Sequence, residues 1–383
     1  MDARLFKGSK GELERVREGH LVFVPPTVPR QWEYDQGLVE VLAEAQLEIG
    51  RLSALGQMVP NPALLVAPYV RREAVLSSRI EGTRASLSDI FLDEAELLSA
   101  PRDAADVLEV RNYVRALDQG LQEIRSRRRL DLDLLKGLHA TLLGGVRGGN
   151  KSPGEFRTTQ NWIGPPGSTP LDAPYVPPDP TAMRKRLKDF EGFLAEPPSM
   201  PPLLQDALLH YQFEAIHPFR DGNGRIGRLL IILFLVDRGI LSAPLLYLSA
   251  YFESHQREYY EALLRVSMEG AYADWCHFFL EGVIAQSRDA VDRARKLVAL
   301  RETNRQSLLS KNATAVALAV LDRLFENPFV SISGVAKALG VTFPTAQKAI
   351  ERHLVPAGIL VEETGHTRSR RYAAREILAL LEG

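Results

Sequence analysis

His217-Pro218-Phe219-Arg220-Asp221-Gly222-Asn223-Gly224-Arg225-Ile226-Gly227-Arg228 runs directly into Leu229-Leu230-Ile231-Ile232-Leu233-Phe234-Leu235-Val236. The second stretch is apolar on every side and reads as a buried helix. The first, polar and glycine-rich, therefore sits at that helix's N-terminus, where free N–H groups and the helix dipole favour an anion. Arg225 and Arg228 are three apart and share a face of the first turn. Cations there oppose the dipole, and a polyphosphate would resolve the conflict. Gly222 and Gly224 let the backbone approach such a ligand and bend with positive φ. Asn223 can hold the turn or donate to a phosphate oxygen. Asp221 is a carboxylate beside phosphates, the usual protein ligand for Mg²⁺. His217 stands across the loop as a candidate general base.

Rival readings fit less well. No GxxxxGK[ST] is present, which excludes a Walker P-loop. Counting from Asp221, position twelve is Ile232, where an EF-hand needs a bidentate glutamate. A plain glycine turn with a core histidine and surface-paired arginines leaves this density of functional groups unexplained.

The dodecamer matches without departure the signature HxFx(D/E)GNGRxxR and so resembles the Fic family. Gly154-Glu155-Phe156-Arg157 is similar to the family's segment ahead of a substrate-binding flap, and Leu248 to Leu264, with Glu253 and Tyr259-Tyr260, to its late core helix. The resemblance implies transfer of AMP from ATP to a Tyr, Ser or Thr hydroxyl of a target protein, or of the chain itself. By the same resemblance His217 takes the hydroxyl proton and Asp221 holds Mg²⁺ on the α and β phosphates. Asn223, Gly222 and Gly224 steady the phosphates, Arg225 and Arg228 bind their far end, and Phe219 anchors the loop. Tyr259 or Tyr260 is placed to stack on a base, with core packing as the equal alternative. Most of this demands positioning and charge, which is what phosphoryl-type transfer requires.

Upstream, Ser77-Ser78-Arg79-Ile80-Glu81-Gly82 fits the family's inhibitory pattern (S/T)xxxE(G/N). Residues 70–81 read as helix with Gly82 as its C-cap, and Ser77 and Glu81, four apart, share a face. The resemblance sets Glu81 against Arg228, where it would hold ATP in an unproductive pose. In some relatives the matching glutamate also supports removal of AMP.

Composition frames the rest. The chain has 383 residues, 45% hydrophobic and 25% charged, with net charge -1. That is ordinary globular composition with no global pull toward nucleic acid or anionic membrane. A single cysteine, Cys276, excludes an intramolecular disulfide and sits in an apolar stretch that reads as core. No apolar run reaches the length of a membrane span and no signal-peptide pattern opens the chain, so cytoplasmic residence is the expectation.

The fold class expected is mainly α: a Fic-type helical core with a short β-hairpin flap, plus a C-terminal winged helix-turn-helix. Residues 1–110 would form an N-terminal arm and helical region carrying the inhibitory helix, 111–285 the core, and 286–383 a polar linking helix and the winged helix. Val24 to Pro29 reads as extended. Arg125, Arg127, Arg128 and Arg129 read as a solvated helix–helix connection. Residues 158–180 suggest two strands around a Pro/Gly turn, able to hold an extended target segment by main-chain pairing. In the winged helix, 314–324, 332–339 and 342–354 are the helices, and residues near 360 and 372 the wing strands. Lys348, Arg352, Arg368, Arg370 and Arg371 suit a phosphate backbone, so DNA or a protein is the expected contact there. A nucleotide-sensing winged-helix transcriptional regulator is the alternative reading of the whole chain. The oligomeric state stays open, a homodimer included.

Overall fold

A computed structural model describes residues 1–58, 63–97, 104–126, 129–197, 199–366 and 369–382. The chain opens with strands β1 (Glu12–Arg15) and β2 (Leu21–Val24), paired antiparallel. Helices α1 (Gln36–Met58), α2 (Ala63–Ile80), α3 (Leu87–Glu94), α4 (Ala104–Arg125) and α5 (Leu132–Leu142) follow. After a long irregular segment come α6 (Pro180–Ala195), α7 (Pro202–Ile216), α8 (Asn223–Asp237), α9 (Ser249–Ser254), α10 (Gln256–Glu269) and α11 (Tyr272–Ser310).

The helix starts obey local chemistry. Ser86 and Asp89 form a capping box on α3, and the Asp131 and Asp179 side chains cap α5 and α6. Helix α8 is the centre of the core. Ile226 and every residue from Leu229 to Leu235 are buried, each at 2% exposure or less. It packs against α7, α4, α5 and α2. That all-round burial fixes where its N-terminal loop opens, which is the site described below. Cys276 is also buried, and burial pushes its thiol up.

The N-terminal arm is more structured than the sequence suggests. Strand β2 also pairs with residue 176, Phe23 N–H donating to Val176 O at 2.8 Å. Glu12–Arg15 carries three charges and no apolar alternation, so nothing in it signals a strand. The flap is less regular than expected. Instead of two strands it holds a single bridge, Ile163 N–H to Tyr175 O at 2.9 Å. Prolines at 165, 166, 170, 174, 177 and 178 remove the donors that a ladder needs.

Helix α11 runs unbroken through 285 and 286, where the sequence reading places a boundary; the polar linking helix is its second half, and the helix packs along α1. Beyond it lie α12 (Ala315–Leu324), β3 (Phe329–Ser331), α13 (Ile332–Leu339), α14 (Phe343–Ala349), β4 (Val361–Glu362), β5 (Arg371–Ala373) and α15 (Arg375–Glu382). The sheet is antiparallel in the order β3-β5-β4. The third helix of this module is α-helical only to Ala349 and finishes as a π turn over Ile350–Leu354. The module rests on the core: Asn327 Nδ2 donates to Phe91 O at 2.8 Å and Ser88 Oγ to Glu382 Oε1 at 2.8 Å. Arg127, Arg128 and Arg368 lie outside the described residues. Among the described residues no helix is long and apolar enough to cross a membrane.

Candidate active site

Helix α7 ends at Ile216, and His217 turns the chain with φ 49° and ψ 61°. A non-glycine residue in this left-handed region is uncommon and marks a place where strain is held for a purpose. The contacts that hold it come from Arg157, just ahead of the flap, and Asn161 within it. Arg157 Nε donates to His217 O at 2.9 Å and Asn161 Nδ2 to the same oxygen at 3.3 Å. Arg157 is 1% exposed and also donates to Pro178 O, so it ties the flap to the loop; burial lowers its guanidinium to about 10. The His217 ring is about one-fifth exposed. Its Nδ1 lies 3.2 Å from Glu214 O. Nδ1–H donates there, and Nε2 keeps a free lone pair. Burial, reinforced by the Arg157 charge, lowers the imidazole to about 4. The ring is therefore neutral at pH 7 and able to accept a proton.

Phe219 is fully buried and stacks on His139, ring centroids 3.8 Å apart and planes 9° off parallel. His139 Nδ1 accepts from Gly154 N–H, so its Nε2–H donates to Asp221 O at 2.9 Å. Burial lowers that ring to about 4, consistent with a neutral strut. Asn223 holds the turn, one of the two roles its place in the sequence allows. Its Oδ1 accepts from Phe219 N–H at 2.8 Å and its Nδ2 donates to Phe219 O at 2.9 Å. Both ends of the amide engage the loop, and the side chain acts as a clasp with one of its two Nδ2 donors.

Gly222 is the N-cap of α8 at φ 77°, and no side chain caps that helix. Its first N–H groups are left for an anion. Arg225 and Arg228 are each 2% exposed. Arg225 Nη1 is 3.3 Å from Glu109 Oε2, and its Nη2 is 3.8 Å from Asp221 Oδ1. The Arg225 Nε is buried without a hydrogen-bond partner, a donor left over for a further acceptor. Arg228 Nε donates to Ser77 Oγ at 2.8 Å and Nη2 to Ser77 O at 2.9 Å. The same Nη2 meets Glu81 Oε1 at 2.9 Å. Burial raises the Glu81 carboxyl, but the Arg228 charge and hydrogen bond outweigh it and hold the group below its ordinary value. Arg228 shows the reciprocal effect: burial disfavours its charge, yet Glu81 holds the guanidinium above its ordinary value. Gly82 closes α2 at φ 93°. A Cβ on Gly224 would collide with the Glu81 carboxylate, so glycine there admits the contact.

The Asp221 side chain is 38% exposed, with Oδ1 accepting from Gly222 N–H at 2.7 Å. Among the described residues no group of three or more His, Cys, Asp or Glu could hold a metal ion. One reachable carboxylate beside an anion cradle is nevertheless the donor set that suits Mg²⁺ carried in on phosphates.

The paired tyrosines separate. Tyr259 is 1% exposed and donates to His210 Nε2 at 2.8 Å, while His210 Nδ1–H donates to Gly227 O at 3.0 Å. Tyr259 is core, without a face for a base; Tyr260 is 45% exposed and faces the site near Glu81. Glu109 and Glu214 belong to no motif in the sequence. Glu214 is pushed up to about 8 by burial and stands beside His217; its place three residues before the histidine was the available signal. In the C-terminal module, Lys348 and Arg352 are exposed. Arg370 pairs with Glu351 at 2.7 Å and Arg371 with Glu363 at 3.3 Å, so the tip is less basic than its sequence.

The model of the Fic/DOC family N-terminal region matches residues 39–122, and that of the Fic/DOC family matches residues 129–235. A protein adenylyltransferase Fic of Culex quinquefasciatus is 33% identical over 151 residues, 39% of this chain and 26% of its own length. Another, of Nematostella vectensis, is 26% identical over 219 residues, 55% of this chain and 47% of its own. The chain thus spans between a quarter and a half of these curated relatives. The crystal structure of a Fic family protein from Desulfovibrio desulfuricans G20 shares the fold, with TM-score 0.58 and 22% identity over 90% of this chain and 98% of that one.

Proposed function

This chain belongs to the Fic/DOC family, and from that premise we propose that it is a protein adenylyltransferase, moving AMP from ATP to a Tyr, Ser or Thr hydroxyl of a target protein and of itself. The observation that carries this reading is a neutral His217, with Nε2 unengaged, standing beside an uncapped helix N-terminus and two buried arginines. His217 Nε2 takes the hydroxyl proton as the oxygen forms its bond to the α-phosphorus. Pyrophosphate leaves toward Arg225 and Arg228, whose fixed charges stabilise it. The N–H groups at the start of α8 receive the phosphate oxygens. Asp221 would hold Mg²⁺, which when bound neutralises phosphate charge. The flap, fastened by Arg157, presents the target segment. Glu81 on Arg228 keeps the enzyme shut by occupying the far phosphate position.

Residues 1–110 thus supply inhibition, 111–285 the chemistry, and 286–383 a winged-helix contact module whose exposed Lys348 and Arg352 would meet DNA or a protein. The alternative of a nucleotide-sensing regulator gives an accepting histidine no task. The test is His217→Ala with Mg²⁺ and ATP labelled at the α-phosphate. Transfer is lost while ATP affinity stays within about twofold. Equal loss of binding and transfer would remove His217 from the base role.

A further inference from the structure

Arg147 lies in the turn after α5, outside both the signature and the inhibitory segment. Its Nη2 donates to Glu81 O at 3.1 Å and its Nε lies 3.5 Å from Glu109 Oε1. Gly148, the next residue, sits at φ 85°, and a Cβ there would be 2.8 Å from Asp221 Oδ2. The turn is fixed by Asn112 Nδ2 donating to Gly144 O at 2.8 Å and by Gly149 N–H donating to Val146 O at 2.9 Å. One short segment therefore touches the inhibitory glutamate with one residue and lies against the proposed metal-binding carboxylate with the next.

Charge counting gives Arg147 a task. Arg225 is shared between Glu109 and Asp221, and Arg228 is matched by Glu81. When a nucleotide displaces the Glu81 carboxylate, Arg225 still answers two carboxylates, while the arriving magnesium nucleotide is a net anion. A further cation is needed along the phosphate chain. Arg147 is one: its side chain is 59% exposed, and its present partners are a carbonyl and a carboxylate already shared with Arg225. The carbonyl contact is exposed and surrendered at small cost, and the buried Glu109 carboxylate keeps Arg225 as its partner. A guanidinium can exchange such contacts for two phosphate oxygens at once.

We infer that Arg147 is a further nucleotide-binding residue, which ties down the Glu81 backbone in the shut site and grips the phosphate chain in the open one. This rests on the nucleotide-transfer reading above. The test is calorimetric titration of ATP with Mg²⁺ into Glu81→Gly/His217→Ala protein, which has an open site and no turnover, and into the same protein carrying Arg147→Ala or Arg147→Lys. Arg147→Ala raises the Kd about tenfold, and Arg147→Lys recovers part of the loss. If the parent binds and Arg147→Ala binds equally well, the inference fails alone. If the parent binds no ATP, the nucleotide reading fails and takes the inference with it.

Discussion

Glu81 Oε1 and Arg228 Nη2 are 2.9 Å apart although 147 residues separate them in the chain. The contact is seated rather than incidental. Ser77, one turn earlier on α2, takes two further donors of the same guanidinium, and Gly224 leaves room for the carboxylate. An arginine at a helix N-terminus is electrostatically misplaced. Here a carboxylate answers it, and a phosphate would answer it in the same position.

Ser77→Ala should weaken this seat. The change strands the buried Arg228 Nε–H, which costs about 1 to 3 kcal/mol. Urea denaturation should show a lower midpoint at unchanged slope, and self-labelling with ATP should rise modestly as Arg228 loses its register. An unchanged midpoint would mean that the hydroxyl does not hold the arginine.

His217 should titrate far below an ordinary histidine. Burial and Arg157 set it at about 4 against 6.5 for the free side chain. The unfolded chain binds more protons than the folded one between those values, so this group's stabilising share is full above about 6.5 and lost as pH falls toward 4. Proton NMR of the His217 ring in ligand-free protein, assigned by comparison with His217→Ala, should give a midpoint near 4. A midpoint near 6.5 would show a solvated ring.

Asn223→Ala should act on stability before any nucleotide is added. Both of its hydrogen bonds go to the Phe219 backbone in a buried position, and their loss strands the Phe219 N–H, while Phe219 O keeps Asn161 Nδ2 as a donor at 2.9 Å. Thermal and urea unfolding should register a loss of about 1 to 3 kcal/mol. Full stability with weakened ATP binding would return Asn223 to the role of phosphate ligand.

Much of the site is legible in the sequence because its parts are neighbours in the chain. The spacing of Arg225 and Arg228, the glycines that flank Asn223 and the apolar helix behind them are local facts with local consequences. Glu81 needed the resemblance, since spacing alone cannot say which arginine it meets. Other features are set by packing. Tyr259 and Tyr260 are adjacent on one helix, about 100° apart around its axis, and only the His210 contact decides which turns inward. Asn223 looks the same in sequence as a phosphate ligand or as a clasp. The flap's prolines announce a break but hide that Arg157 fastens it to the catalytic loop. Strand β1 has no apolar rhythm, and its partners lie in β2. The boundary expected at 286 followed a change in polarity, but α11 continues through it and keeps burying one face at Ala290, Val291, Ala294 and Leu297.

The most direct test of the account compares wild type, Glu81→Gly and Glu81→Gly/His217→Ala, each incubated with Mg²⁺ and ATP labelled at the α-phosphate. Little label is expected on the wild type, at least about tenfold more on the single mutant as the order of magnitude for a released ion pair, and none on the double mutant. Equal labelling of wild type and Glu81→Gly, or label that survives in the double mutant, would contradict it.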